Sequence, residues 1–240
     1  MNNLSIILPA YRENPAVVEG LYFHLTQLGC EVIVVDDGGY MELSIPHHKI
    51  PHKGYGYALK YGILQAKNKV VCTMDSDFQH QPKDVEILYN VFKQRDDIAM
   101  VVGVRWSIKD SPIRWVFRKC INFLASIISS HYHQDLNSGM RIFNRKIVLD
   151  YRDILCDTFS FTTSITMAMT TDGYKIAYFP IDVLPRKHGK STVKLFKDGF
   201  ITLYYVVWIG LGLRTRKIRK TFRAYFSFFR KNGVLNDVDN

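Results

Sequence analysis

The first half of the chain alternates short β-branched runs with longer stretches of helical period. Residues 4–8 form an apolar run closed by a proline, the mark of a buried strand. Pro15 sits where a helix can open, and Val17, Val18, Leu21, Leu25 and Leu28 then share one face until Gly29 ends it. A second strand is expected over 31–35, stopping at Asp36-Asp37-Gly38-Gly39. A helix over 54–66, a third strand over 69–74 running into Asp75, a helix over 82–92 and a fourth strand over 98–104 continue the alternation. This order predicts an α/β fold, a mostly parallel doubly wound sheet flanked by helices. In such sheets ligands bind beyond the carboxyl ends of the strands. The polar clusters after Leu8, Val35, Met74 and Val104 all fall there.

The second half is less regular. An apolar helix is expected over 112–128, interrupted by Arg114, Arg118 and Lys119. A loop from Asp135 leads into a strand near Phe143, a helix follows over 159–171 and a strand over 174–180. A basic loop over 185–192 and two helical segments complete the chain. With no internal repeat and no low-complexity linker, the simplest division is one domain over 1–195 and an appendage over 196–240.

Composition narrows the classes. The 240 residues are 47% apolar and 22% charged, enough for one large domain with a sizeable core and unlike a disordered chain. A net charge of +10 points to anionic partners. The four cysteines have no C-x-x-C spacing, which gives neither a zinc signature nor a disulfide framework and fits a reducing compartment. The first residues have no basic and long apolar regions of the signal-peptide kind. The longest apolar run, residues 200–213, falls short of the roughly 20 residues needed to cross a bilayer.

Asp75-Ser76-Asp77 stands directly after a β-branched strand. Two carboxylates at a strand end can turn toward one hard cation, and Mg²⁺ or Mn²⁺ prefers such oxygen ligands, completing its shell with water and phosphate. Taken alone, two aspartates so spaced fit a solvated loop or a helix cap equally well. The wider series is more specific: Ile-Ile-Leu-Pro-Ala-Tyr-Arg-Glu-Asn (6–14), Val-Val-Asp-Asp-Gly (34–38), His-Lys-Gly-Tyr-Gly-Tyr-Ala-Leu (52–59), Met-Asp-Ser-Asp-Phe-Gln-His (74–80), Val-Gly-Val-Arg (102–105) and Leu-Asn-Ser-Gly-Met-Arg-Ile-Phe (136–143). In this order they resemble the GT-A glycosyltransferases of family 2, most closely the polyprenyl-phosphate sugar transferases of the dolichyl-phosphate mannose synthase kind. The resemblance runs over about residues 4–192.

The resemblance implies a Rossmann-like GT-A fold and a role for each matching position. Pro9, Ala10, Tyr11 and Glu13 would hold the nucleoside, with Asp36 or Asp37 on the base. Lys53 and Gly54 would open a helix toward the nucleotide. Asp77 would be the main metal ligand, with Asp75 and Gln79 completing the set and Ser76 and Ser138 lining the donor site. Arg105 and Arg118, as catalytic residues, and Arg141 would surround the donor and acceptor phosphates, a task suited to a bidentate guanidinium. Arg186, Lys187, Lys190 and Ser191 resemble the family's Arg-x-Gly-x-Ser-Lys loop, with Lys187 at the Arg position and Thr192 for the final Lys. Ser164 stands where many relatives carry a glutamate, which loosens any transfer of sugar identity.

The expected reaction moves a sugar from a nucleoside diphosphate to a polyprenyl phosphate with inversion. A phosphate acceptor is already an oxyanion near neutral pH, because its second pKa is about 6, and needs no general base. A hydroxyl acceptor, as in surface polysaccharide synthesis, would need one, and Asp135 or Asp157 is the candidate. A catalytically silent nucleotide-sugar-binding membrane adaptor is the alternative from another class. Residues 214–231 hold eight Lys and Arg and no acid, with Ile218, Phe222, Tyr225, Phe226 and Phe229 on one helical face. This is the pattern of an interfacial anchor, and no nucleic-acid module accompanies it. The expected place is the cytoplasmic face of a membrane, peripheral or monotopic, alone as a homo-oligomer or with a separate membrane subunit.

Overall fold

The computed structural model describes residues 1–106, 112–184 and 199–215. A seven-stranded sheet in the order β3-β2-β1-β4-β6-β5-β7 forms its centre. The strands are β1 (Leu4–Ala10), β2 (Glu31–Asp37), β3 (His47–Ile50), β4 (Val70–Thr73), β5 (Met100–Arg105), β6 (Arg141–Asn144) and β7 (Ile176–Ile181). All run parallel except β6, which lies antiparallel between β4 and β5. The ends at Ala10, Asp37, Thr73 and Arg105 therefore meet one edge, and β6 begins there at Arg141.

The helices are α1 (Pro15–Gln27), α2 (Tyr55–Gln65), α3 (Pro82–Lys93), α4 (Pro112–Ser129), α5 (Arg145–Asp150) and α6 (Phe161–Thr171), and residues 199–215 are also helical. Strand alternation divides the core between the two faces of the sheet. Leu4, Ile6 and Leu8 of β1 pack with Leu21 and Leu25 of α1 and Leu88 of α3. Ile7, one step out of phase, packs with Leu59 and Ile63 of α2 and Ile165 of α6 on the other face. α1 begins where the Asn14 side chain accepts from the Ala16 amide at 3.0 Å and Pro15 presets the first turn. Gly62 of α2 lies so close to the Ile7 side chain that a side chain there would have to push it aside.

A third cluster joins Ile121 and Ala125 of α4, Met167 and Ala168 of α6, and Val206, Ile209 and Leu213. The last described helix thus shares a core with the sheet-packed helices. The expected domain limit at 195 and the basic segment over 216–231 lie outside the described residues. Among the described residues, no helix is long and apolar enough to cross a membrane.

Candidate active site

Four loops leave the carboxyl edge of the sheet side by side, and the two nearest its centre follow β1 and β4. Arg12 and Phe78, in these two loops, both adopt positive φ (54° and 64°), a conformation that non-glycine residues hold only where the surroundings enforce it. The Ser76 hydroxyl donates to the Pro9 carbonyl at 2.8 Å and ties one loop to the other. Ser76 and Ala10 are buried, so both shape the floor under the loops.

Asp75 is held from several sides and still reaches solvent. Its side chain is 32% exposed, so one side meets solvent. The Tyr55 hydroxyl donates to Oδ1 at 2.8 Å, and His80 Nε2 lies 3.4 Å from Oδ2. Behind it, Gly139 leaves no room for a side chain: an added Cβ would lie 2.6 Å from Oδ2 and 2.7 Å from Cγ. Gly139 is fixed there by its carbonyl, which accepts from Thr73 Oγ1 at 2.7 Å, and by the register that pairs Thr73 with Arg141. Burial opposes the charge on Asp75, but the hydrogen bonds of His80 and Tyr55 and the nearby Arg105 outweigh it and hold the carboxyl below its ordinary pKa. Burial and the charge of Asp75 push the Tyr55 hydroxyl well above its own range, which keeps it a donor.

Asp77 is half-buried on the same turn, and its Oδ1 accepts from the Gln79 amide at 3.1 Å. Gln79 Nε2 donates to the Leu184 carbonyl at 3.2 Å, and the Leu184 amide donates back to the Gln79 carbonyl at 2.9 Å. Gln79 thus fastens residue 184, the last before the basic loop, to the turn that carries both carboxylates. Its amide nitrogen is engaged there, leaving only Oε1 for the metal role expected of it. Two carboxylates and an amide oxygen are hard donors and fit Mg²⁺ or Mn²⁺ with phosphate and water in the other positions. Among the described residues no group of three or more His, Cys, Asp and Glu converges as a complete site.

The loop after β1 carries an aromatic cluster. Tyr11 stacks on His52 with centroids 4.3 Å apart and meets Tyr40 edge-on at 5.8 Å, while the Arg12 guanidinium covers Tyr40 at 4.6 Å. Asp37 fixes the His52 end of this cluster: it accepts from the Lys53 and Gly54 amides at 2.9 and 3.1 Å and faces His52 Nδ1 at 2.9 Å. Gly54 caps α2 at φ 111°, backed by the Asp157 carbonyl. The Lys53 ammonium sits 4.7 Å over the Tyr57 ring. Glu13 is half-buried at the start of the turn into α1.

Several expected ligand residues are framework instead. Asp36 is fully buried and accepts from the amides of Tyr40 (3.3 Å) and Met41 (3.0 Å), so it holds the loop and cannot reach a base. Asp37 is nearly as buried, and its oxygens are taken up by the loop at 52–54. Ser138 is buried, with its hydroxyl accepting from the Met140 amide. Arg141 has no exposure. Its guanidinium donates to the carbonyls of Ser138 and Leu136 and to Thr166 Oγ1, which removes it from any phosphate.

Arg105 grips Asp135 with both nitrogens at 2.8 Å, and its own amide faces the same carboxylate at 3.4 Å. Burial works against the Asp135 charge, but Arg105 and Arg118 outweigh it and hold its pKa down. A buried acid so paired is a poor general base. Asp157, the other candidate base, pairs with Lys60. Ser164, at the position of the expected glutamate, is buried and receives the Cys156 amide at 3.1 Å. Arg186, Lys187, Lys190 and Ser191 lie outside the described residues. Tyr55, His52, His80 and Gly139 complete the site without having been assigned roles from sequence. All four stand inside the quoted motifs, but the contacts that Tyr55, His80 and Gly139 make with Asp75 become visible only in the fold.

With this geometry in hand, the comparisons are consistent. The model of the family described as glycosyl transferase family 2 matches residues 5–152. An uncharacterised protein of Methanocaldococcus jannaschii is 26% identical over 228 residues, covering 86% of this chain and 91% of its own. The undecaprenyl-phosphate 4-deoxy-4-formamido-L-arabinose transferase of Pectobacterium carotovorum is 29% identical over 62% of this chain and 50% of the relative. The dodecaprenyl-phosphate galacturonate synthase of Rhizobium johnstonii is 25% identical over 60% and 48%. This chain thus spans about half the length of those two transferases. Among solved structures, glucosyl-3-phosphoglycerate synthase of Mycobacterium tuberculosis, in complex with Mn²⁺, UDP and phosphoglyceric acid, superposes with a TM-score of 0.67. It is 14% identical and covers 89% of this chain and 78% of its own, a likeness of fold.

Proposed function

Because the chain belongs to glycosyl transferase family 2, we propose that this glycosyltransferase moves a sugar from a nucleoside diphosphate to a polyprenyl phosphate at the cytoplasmic face of a membrane, with Asp75 and Asp77 holding Mg²⁺ or Mn²⁺. One observation carries the reading: Asp75 is kept ionised and fixed by Tyr55, His80 and Gly139 while still meeting solvent at the carboxyl edge of the sheet. A structural acid would not require three neighbours to fix a carboxylate that still meets solvent.

The aromatic cluster of Tyr11, His52 and Tyr40, with Arg12 over Tyr40, would be the surface against which a nucleobase packs. A nucleotide seated there directs its diphosphate toward Asp75 and Asp77, where a bound cation supplies charge neutralisation to the departing diphosphate. Asp77 and Gln79 orient the turn, and Gln79 anchors residue 184 to it. The pairing of both candidate bases, Asp135 with Arg105 and Asp157 with Lys60, favours an acceptor that arrives already ionised. Relatives named as undecaprenyl- and dodecaprenyl-phosphate transferases support the same acceptor class. The test is a panel of UDP- and GDP-sugars with Mn²⁺ or Mg²⁺ and a short polyprenyl phosphate, read as released nucleotide and as lipid-extractable sugar. Release of sugar only to water or to saccharide hydroxyls would overturn the acceptor, and metal-independent transfer would overturn the carboxylate assignment.

A further inference from the structure

α4 and the helix at 199–215 pack side by side and parallel. Gly199 lies against the Phe117 ring and Gly210 against Ile128, equal steps along both chains, and Arg214 donates to Ser130 Oγ at the far end. Each helix turns one apolar stripe inward, Ile121 and Ala125 on α4 and Val206 and Ile209 on its neighbour. Each also turns a second apolar stripe to solvent. On α4 this outer stripe includes Val116 (51% exposed), Phe123 (69%) and Ile127 (58%), and on the neighbour Tyr204 (58%), Trp208 (47%) and Leu211 (50%).

Helical geometry joins the two outer stripes. On each helix the contact with its partner lies between the buried stripe and the exposed one. For parallel neighbours this puts both exposed stripes on the same outer side, as a single apolar face. Such a face is large for a soluble surface and calls for an occupant. Its charge identifies one. Residues 112–130 and 199–215 contain no Asp or Glu, Lys119 is exposed beside Trp115, and the sequence from Arg214 to Lys231 carries eight cations and no acid. Two such faces would repel each other, whereas aromatic side chains flanked by cations match the boundary of an anionic bilayer.

We propose that the outer face of this helix pair docks on an anionic lipid bilayer. The inference deepens the membrane reading above and rests on it. The face also begins beside the candidate site: Trp106, 79% exposed, directly follows Arg105, and α4 opens shortly after it. Docking there would bring the carboxyl edge of the sheet to lipid depth, where a polyprenyl phosphate presents its head.

The experiment uses the full chain and sedimentation with vesicles of phosphatidylcholine, with or without roughly one-third phosphatidylglycerol. The wild type is expected to sediment with the anionic vesicles, and the Phe123→Glu/Trp208→Glu variant to lose about tenfold or more in partition. Turnover of a short, water-soluble prenyl phosphate should persist in that variant, since neither residue lines the candidate site. Should the double variant fail to fold, Trp208→Phe serves instead: brominated lipid should quench wild-type tryptophan fluorescence and quench this variant less. Wild-type vesicle binding by the folded double variant, wild-type quenching of Trp208→Phe, no binding by the wild type, or a wild-type dimer that the double variant dissolves would each overturn the docking face. Vesicle binding by a chain that turns over no prenyl phosphate would leave the face standing and remove only the acceptor reading.

Discussion

Gly139→Ala is a small change with a large expected effect. Its new methyl would sit 2.6 Å from Asp75 Oδ2, and Asp75 must retreat by at least 0.8 Å to restore an ordinary 3.4 Å contact. The retreat cannot be absorbed cheaply, because the carboxylate is held at 2.8 Å by the Tyr55 hydroxyl and at 3.4 Å by His80. The backbone itself tolerates alanine, since Gly139 has no positive φ. The damage therefore falls on the position of Asp75 more than on the fold. Misplacing a catalytic group by about 1 Å can cost ~10²-fold, equivalent to ~2.7 kcal/mol of barrier. We expect kcat/KM for sugar transfer to fall by that order at saturating Mn²⁺, with a thermal midpoint within a few degrees of wild type. Turnover within about threefold of wild type would mean that Asp75 is not positioned by this contact and that its geometry is incidental.

Other perturbations separate the same parts. Asp77→Ala should lower transfer by at least ~10²-fold, the usual effect of removing one preorganised electrostatic contact, and should raise the Mn²⁺ concentration needed for half-maximal rate. Asp135→Asn leaves Arg105 without its bidentate partner and should destabilise the chain by about 3 kcal/mol in a urea titration, as breaking a buried pair does. His133 is buried between the Ser129 and Tyr178 hydroxyls, and burial, followed by the charges of His131 and Arg141, lowers its pKa to about 4. Unfolding frees it to take a proton at its ordinary pKa near 6.5, so stability falls as pH drops from 6.5 toward 4, by up to about 3 kcal/mol. His133→Gln should flatten that part of the stability–pH curve, and an unchanged slope would refute the assignment.

What sequence reveals of this fold depends on how each element is buried. Strands β1, β2, β4 and β5 are apolar because helices cover both faces of the sheet, and their runs stand out. β3 does not: His47-His48-Lys49-Ile50 lies at the sheet edge, where one buried isoleucine suffices. The carboxylates of the site are therefore preceded by four strands, not the three expected. α5, six residues long, is too short to display a helical period. At the site, Asp75 and Asp77 are legible because both follow a strand end in one motif. Tyr55 and Gly139 are not, since they meet Asp75 across separate loops and a single chain carries no trace of that meeting. Arg105 and Asp135 were each singled out from sequence, but for phosphate and for proton transfer. That they bind each other depends on the register of β5 against β6, which composition does not disclose.

Arg141 shows how such a mistake can still point at a physical effect. Its guanidinium bonds to neutral groups, two backbone carbonyls, the Thr166 hydroxyl and the Met100 sulfur, and to no carboxylate. Burial lowers its pKa to about 10, which leaves it charged at neutral pH. A cation fixed in the interior near Ser138, hydrogen-bonded among the described residues to neutral groups only, acts on Tyr55 at the edge of the sheet. The same charge works against the raised pKa of Tyr55, a sign that its field reaches that hydroxyl. In a dry, preorganised setting such a field costs no reorganisation when negative charge develops nearby. Sequence reading placed Arg141 among the phosphates because family 2 enzymes need positive charge there. In the fold the guanidinium instead fastens β6 to α6 through Thr166.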